Sequence, residues 1–492
     1  MDKKSFSGLQ LKKETIRHLI LNFMFFGFFY SIMFIPHYSI DSFNVSSDVT
    51  SMITAPLTSG RAIFALWGAL FKVLSFNPVT GQFFGLLVLV GSCAVGHCIL
   101  YQTLSRYLPP ENRWQRLGLW LALFISFANP FIAEWFFYVE MAVVYSTAIL
   151  CSCAAVYCLS KPTAKNWILA TVLVIISTTS YQVGVFCFLI WGVFLFSVHF
   201  NFQLSRQSFA CVAGVVGISA FSSLLSLVIG KVLPQLFHLS ARFSEFSLSK
   251  SLVSVLKTQP SFWKNTLRMM PPFFVAVVVI LFLVSIAFSF GAKKRWLGLV
   301  WAFVLLVGCY ISSFAVHIIS PVVWVVPRST VPFFCFVSIV AGFSVLLASN
   351  QKYLSLLTLV VVVVCYSQTF SLTNQQISTN RRDSEQIHQI VYAIEQYEQE
   401  TGIAVNKISW NGDAALVYVY PGTTLFCGEV NQRVLSATWA LDSVIEFYTG
   451  RDLTLVSSPQ EVKHYFAAQN WNGFDLTQQL IFDGDTVHFC RY

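Results

Sequence analysis

Charge is what this sequence lacks. Only 11% of its 492 residues are Asp, Glu, Lys or Arg, against roughly 25% in an ordinary soluble protein, while 56% are apolar and Phe alone occurs 48 times. A water-soluble fold could not hide that much hydrocarbon, so a soluble globular enzyme is excluded. Acidic residues are scarcest in the first three-quarters of the chain. Residues 1–372 hold 24 Lys and Arg against 8 Asp and Glu, whereas residues 373–492 hold 7 against 14. The net charge of +9 therefore averages a basic membrane part and an acidic soluble part. The soluble part has no Walker loop and no GxGxxG turn, and the chain has no CxxC pair or Cys/His ligand spacing. Nucleotide binding, nucleic-acid binding and a structural metal site are accordingly not expected.

Hydrophobic stretches, by contrast, are plentiful. Eleven can be marked, at residues 18–36, 80–102, 117–133, 141–159, 167–180, 183–200, 208–230, 271–291, 297–318, 330–348 and 354–372. Several are shorter than the roughly 20 residues that cross a bilayer upright, which predicts tilted or paired short helices. The first ends in Met-Phe-Ile-Pro without a small-residue cleavage site, so it reads as a retained helix rather than a signal peptide. Lys and Arg near span ends are held in the cytoplasm. The N-terminal segment carries Lys3, Lys4, Lys12, Lys13 and Arg17, and every second short loop is basic too: Arg106, Arg113 and Arg116; Lys161 and Lys165; Arg206; Lys293, Lys294 and Arg295; Lys352. The opposite short loops hold few cations, Arg61, Lys72 and Arg328, apart from a longer loop at 231–270 with Lys250, Lys257 and Lys264 at intervals of seven. An odd number of spans puts the C-terminus outside. The expected fold is a polytopic α-helical membrane protein with about 11 transmembrane helices in residues 1–372 and a C-terminal periplasmic α/β domain in residues 373–492.

That outer domain is predicted to begin with a helix over 380–401, stopped by Gly402. Strands are expected at 407–410, 416–420, 453–456, 478–482 and 486–490, with turns at Asn411-Gly412 and Pro421-Gly422. A second helix over 434–449 closes at Gly450, and Ser458-Pro459-Gln460-Glu461 starts a third. Ten of the twelve Cys fall in hydrophobic stretches as small apolar fillers. Cys427 and Cys490 are alone in a domain expected to face an oxidising compartment, and a disulfide between them is predicted.

Once Asp2, Glu14 and Glu111 are assigned to the cytoplasm, the membrane part retains Asp41, Asp48, Glu134, Glu140 and Glu245, all on the outer side. Acids near lipid are costly to place, and a set gathered on one face points to a working site. Asp41 and Asp48 lie in the first outer loop, and Glu134 and Glu140 bracket a short turn rich in aromatics, including Tyr138. A carboxylate beside aromatic rings suits a sugar, whose ring stacks while a hydroxyl donates to the acid. Arg328 and Arg61 suit a phosphate at headgroup level. Tyr181 and Gln182, at an outer hairpin turn, are candidate sugar contacts or turn caps, and His97 and His317 are lone histidines expected to be satisfied within the bundle.

Taken in order, Tyr38-Ser39-Ile40-Asp41, Ser59-Gly60-Arg61, Pro130 through Tyr138 with Glu134, Ser180-Tyr181-Gln182, Pro327-Arg328 and Asn380-Arg381-Arg382-Asp383 resemble the Gtr-type O-antigen glucosyltransferases. These are serotype-converting members of the GT-C class of polyprenyl-phosphate-sugar transferases. The resemblance covers nearly the whole chain. It implies a GT-C-like membrane domain in the bacterial inner membrane, undecaprenyl-phosphate glucose as donor and a sugar of the lipid-linked O-antigen glycan, a lipopolysaccharide precursor, as acceptor. It further implies Asp41 as general base, Glu134 orienting sugar or base, Arg328 with Arg61 on the departing phosphate, and inversion at the anomeric carbon. Asp48, Tyr138, Glu140, Tyr181 and Gln182 are the expected sugar and acceptor contacts. No cofactor is implied, and a divalent metal is not favoured. The rival readings are a flippase or carrier for a lipid-linked sugar, a transferase of the same class for a different sugar, and an anchoring protein whose outer domain binds a partner. Carriers place charges at the membrane midplane, break their helices or repeat their halves; none of these features is read in the sequence.

Overall fold

Inside lipid a backbone must satisfy its own hydrogen bonds, so apolar stretches of this length fold as helices. A computed structural model describes residues 13–107, 109–240, 248–291, 296–319, 325–347, 350–414, 418–424 and 429–492. Lys3, Lys4, Lys12, Glu245, Lys293, Lys294, Arg295 and Cys427 lie outside the described residues, as does the side chain of Lys250. In chain order the first helices are α1 (Lys13–Phe29), α2 (Ile40–Ser47), α3 (Ser51–Leu57), α4 (Ala62–Val73), α5 (Gln82–Ser105), α6 (Arg113–Ile125) and α7 (Pro130–Phe137). Then come α8 (Ala142–Leu159), α9 (Ala164–Ser180), α10 (Val183–His199), α11 (Arg206–Leu236), α12 (Leu248–Ser261), α13 (Pro272–Gly291), α14 (Trp296–Ser312), α15 (Val316–Ile319), α16 (Pro332–Leu347) and α17 (Gln351–Thr401). Each of the eleven apolar stretches is helical over most of its length.

Among the described residues four helices are long and apolar enough to cross a membrane: α5, Val139–Leu159, α11 and α17. The number is six if two bent pairs each count as one span. Burial sorts the helices by environment. In α10 every residue from Val183 to Val198 is buried, the pattern of a helix apolar all round at the centre of a bundle. In α11 only 28% of the most apolar window is buried, and Phe209, Phe221 and Leu224 point outward, as suits a lipid-facing helix. The one polar knot of α1 is satisfied internally. Asn22 Nδ2 lies 3.0 Å from His97 Nδ1, His97 Nε2 lies 3.0 Å from the Trp120 carbonyl, and Trp120 Nε1 donates to Asn22 Oδ1 at 2.9 Å.

The expected turn around Glu134 is instead a buried helix. Pro130 cannot continue α6, because it lacks an N–H and would clash with the preceding turn. Asn129 caps the restart, its side chain accepting from the N–H groups of Phe131 and Ile132 at 3.0 Å each. The chain bends by 44° between α6 and α7 and by 114° between Val253–Met269 and Pro272–Ser285, so the expectation of no broken helices is corrected; all eight residues of α7 are buried.

α17 runs for 51 residues without a break, about 75 Å at 1.5 Å per residue. This is more than twice the roughly 30 Å of a bilayer's hydrocarbon core. Its apolar half sits in the bundle and its polar half, carrying Ile387, Ile390 and Ile394, forms one wall of a second core. The boundary expected at residue 372 therefore falls inside one continuous helix. The rest of this domain is α18 (Leu441–Thr449), α19 (Gln460–Ala467), α20 (Leu476–Gln479) and a four-stranded sheet of β1 (Lys407–Gly412), β2 (Thr454–Val456), β3 (Leu480–Asp483) and β4 (Thr486–Arg491). The sheet order is β2-β1-β4-β3, with β1 parallel to both neighbours and β3 antiparallel to β4. Gly402 at φ 72° and Gly450 at φ 71° end α17 and α18, as the sequence predicts.

Four expectations for this domain are corrected. Asn411-Gly412 is strand rather than turn, because Asn411 pairs across β4 with Cys490 and its Nδ2 donates to the Phe489 carbonyl. The described residues of the 416–420 strand, Tyr418 to Tyr420, are not strand. The 434–449 helix is two short 3-10 turns, Val434–Ser436 and Thr438–Ala440, followed by α18. Ser458 does not cap α19; its hydroxyl donates to Ser409 Oγ at 2.7 Å instead. Cys490 is a buried thiol whose pKa burial pushes up to about 12, and its expected disulfide partner Cys427 lies outside the described residues.

Candidate active site

The first loop is not a loose connection. Ser39 opens α2 with a reciprocal cap, its Oγ accepting from Ser42 N–H while Ser42 Oγ accepts from Ser39 N–H at 3.1 Å. The next residues then point in different directions. Ile40 and Phe43 are 2% and 0% exposed and enter the core of the C-terminal domain, with Phe43 edge-on to Phe447 at 5.3 Å. Asp41, between them in sequence, is exposed and faces a cavity. From the other side, Asn380 Oδ1 accepts from Tyr38 N–H at 2.8 Å and Gln376 Nε2 donates to the Tyr38 carbonyl at 2.9 Å. The polar half of α17 thus holds the segment that delivers Asp41.

The cavity has a volume of about 590 Å³ and lies where the bundle meets the C-terminal domain. Asp41, Arg61, Tyr138, Glu140, Tyr181, Gln182 and Arg328 all line it, although they are up to 287 positions apart in the chain. Glu140 is 3% exposed and accepts a hydrogen bond from Ser42 Oγ at 2.7 Å, which ties the second acid to the helix that carries the first. Arg328 is clamped by Glu134, whose Oε1 is 2.5 Å from Nη1 and whose Oε2 accepts the Arg328 backbone N–H. The guanidinium lies over the Tyr138 ring, 4.4 Å from its centroid, and Glu429 Oε2 is 3.9 Å from Nη2. Tyr138 OH donates to that same Glu429.

Below Arg328 is an aromatic platform. Trp135 stacks on Tyr145 at 4.7 Å, and Tyr181 stands edge-on to both. Trp135 Nε1 donates to the Arg328 carbonyl at 3.1 Å. Arg61 is aimed by a close contact. Gly60 has φ 73°, and a Cβ there would lie 2.0 Å from the Ser226 carbonyl of α11, so only glycine fits. Gln182 fixes the same turn, with Nε2 donating to Ser59 O at 2.7 Å and Oε1 accepting from Arg61 Nε at 2.6 Å. The Arg61 guanidinium lies 4.9 Å from the Tyr181 ring centroid.

Two expected residues are placed off the cavity wall. Glu134 is 1% exposed and sits behind Arg328. Asp48 ends α2 on the surface, where the Thr50 hydroxyl and N–H hold its carboxylate below the usual range. Lys257 and Lys264 are exposed and do not line the cavity. Residues that local sequence reading did not single out also line it: Tyr145, Glu429 and Trp439. His317, expected to be satisfied within the bundle, lines it too, and its Nε2 is buried without a hydrogen-bond partner, so that expectation is corrected. Glu429 lies at a bend and Trp439 in a 3-10 turn of a segment read only as helix, so only the approach of the two domains could reveal their place at the site. Among the described residues no group of three or more His, Cys, Asp or Glu could hold a metal ion.

A family model for the glucosyl transferase GtrII matches residues 30–347. The chain belongs to that family. No curated protein and no solved structure matches it. In this glucosyl transferase the matched segment contains Asp41, Arg61, Glu134, Glu140 and Arg328, while Glu429 and Trp439 come from beyond it. A membrane-embedded glucosyl transferase needs a sugar donor and an acceptor, and a cavity lined by carboxylates, guanidiniums and aromatic faces has the groups to hold both.

Proposed function

We propose that this protein is an inverting glucosyltransferase of about 11 transmembrane helices in the bacterial inner membrane, with its C-terminal domain in the periplasm. It takes glucose from undecaprenyl-phosphate glucose and adds it to a sugar of the lipid-linked O-antigen, the reaction class that underlies serotype conversion. The observation that carries this reading is the meeting of Asp41 and Glu140 with Arg61 and Arg328 in one cavity beside an aromatic platform. Asp41 accepts the proton of an acceptor hydroxyl, and that oxygen attacks the anomeric carbon from the face opposite the phosphate. The carbon–oxygen bond to phosphate breaks, and its electron pair leaves with the polyprenyl phosphate. Arg328 and Arg61 stabilise the added charge. Glu134 keeps Arg328 in place, and Glu140, with its single hydroxyl donor, is suited to accept a second sugar hydroxyl. A polyprenyl phosphate already leaves readily, so the protein's main tasks are positioning, one proton transfer and charge stabilisation.

The test is incubation of purified protein with undecaprenyl-phosphate glucose and lipid-linked O-antigen, followed by mass spectrometry of the glycan. Addition of one hexose is expected. Asp41→Asn should fold normally and lower the transfer rate on the order of 10²-fold or more. Near-normal turnover in that variant removes Asp41 from the role of base, and absence of transfer by the unaltered protein removes the proposed reaction.

A further inference from the structure

Trp439 is the least explained large side chain at the cavity. It sits in the 3-10 turn Thr438–Ala440, which packs against α2 just before α18 begins. Its neighbours Ala437, Ala440 and Leu441 are fully buried in the core of the C-terminal domain, yet Trp439 is 53% exposed and lines the cavity. The indole therefore serves neither core. It also stands on the wall formed by α2, with Asp41, Asn44 and Val45, whereas Arg61, Arg328 and the stacked Trp135 and Tyr145 belong to the bundle.

This division has a chemical meaning, because the base must meet the acceptor and the cations must meet the donor phosphate. A ring face held open to solvent beside a carboxylate matches the two needs of a pyranose, stacking of its apolar face and acceptance of a hydroxyl proton. Resting on the transferase reading above, we infer that Trp439 is the platform for the acceptor sugar and that the C-terminal domain selects which glycan is glucosylated. Glu429, the other residue this domain sends to the site, engages Tyr138 and Arg328 on the bundle side. That contact ties the domain to the bundle beside the cavity.

The experiment compares Trp439→Ala, Trp439→Phe and the unaltered protein in two assays. In the transfer assay Trp439→Ala should raise KM for the lipid-linked glycan about tenfold, the size of one lost ring-face contact, with KM for undecaprenyl-phosphate glucose unchanged. Trp439→Phe should restore most of the affinity. In the second assay, delipidated O-antigen oligosaccharide is titrated calorimetrically without donor, with Asp41→Asn included. Binding should weaken in Trp439→Ala and persist in Asp41→Asn. Equal oligosaccharide binding by Trp439→Ala and unaltered protein overturns the inference whether or not transfer is seen, as does a change confined to donor KM, the mark of a membrane anchor. Transfer that is absent from the unaltered protein while the binding difference persists overturns the reaction and leaves the glycan platform standing. Exposure of Trp439 makes misfolding an inadequate explanation, and an unchanged melting temperature checks that.

Discussion

At the scale of single residues, the central question is how a cation is kept ready inside a mostly apolar cavity. Arg328 is 13% exposed at its side chain and would be costly to bury alone; Glu134, at 1%, supplies the countercharge and also receives the backbone N–H. Two bonds from one carboxylate fix both the position and the direction of the guanidinium, which leaves its outer edge toward Tyr138 and Glu429. Replacing Glu134 by Gln keeps the shape and removes the charge. Since loss of one partner from a buried ion pair costs about 3–5 kcal/mol, Glu134→Gln should lower unfolding stability by roughly that amount and raise KM for the lipid-linked sugar donor. Thermal unfolding in detergent and donor kinetics measure the two effects, and an unaltered donor KM would show that Arg328 is held by other means.

At the scale of elements, α2 is the part on which the site depends. An eight-residue helix is too short to persist alone in water, so its geometry comes from docking, with Ile40 and Phe43 entering the C-terminal core and Tyr38 held by Asn380 and Gln376. Asp41 is positioned by residues more than 300 positions away in the chain. Phe43→Ala should therefore cost about 3–5 kcal/mol in the C-terminal domain, the usual penalty for emptying a Phe site. It should also depress transfer although Phe43 touches no substrate, with Phe43→Leu restoring much of both. Full activity in a destabilised Phe43→Ala protein would break the proposed link between the outer core and the base.

At the scale of the whole molecule, α17 joins the two domains without a hinge. The first loop, the mouth of the bundle and the C-terminal domain lie together on one face. The distribution of Lys and Arg predicts that this face is periplasmic, as the proposed function requires. Alkaline phosphatase fused after Tyr492 should therefore be active in cells and a fluorescent protein fused there dark. The opposite result would turn the cavity toward the cytoplasm, where no lipid-linked O-antigen glycan is expected to be presented.

Much of this protein is legible residue by residue. Apolar runs give helices because lipid leaves a backbone no other partner, and Gly402 and Gly450 end helices because glycine readily adopts the left-handed backbone found there. The few charges on the outer side also include Asp41, Arg61, Glu140 and Arg328, which the fold then gathers into one cavity. Other features depend on contacts between distant segments, and no local pattern encodes those. Asn411-Gly412 becomes strand because β4 offers it partners, Glu134 moves behind Arg328 because the break at Asn129-Pro130 turns α7 inward, and Glu429 and Trp439 reach the site only because two cores share α2 and α17. Sequence alone determined the membrane-embedded helices and the chemical types at the site; tertiary structure decided which charges meet, because burial and pairing are properties of neighbours in space.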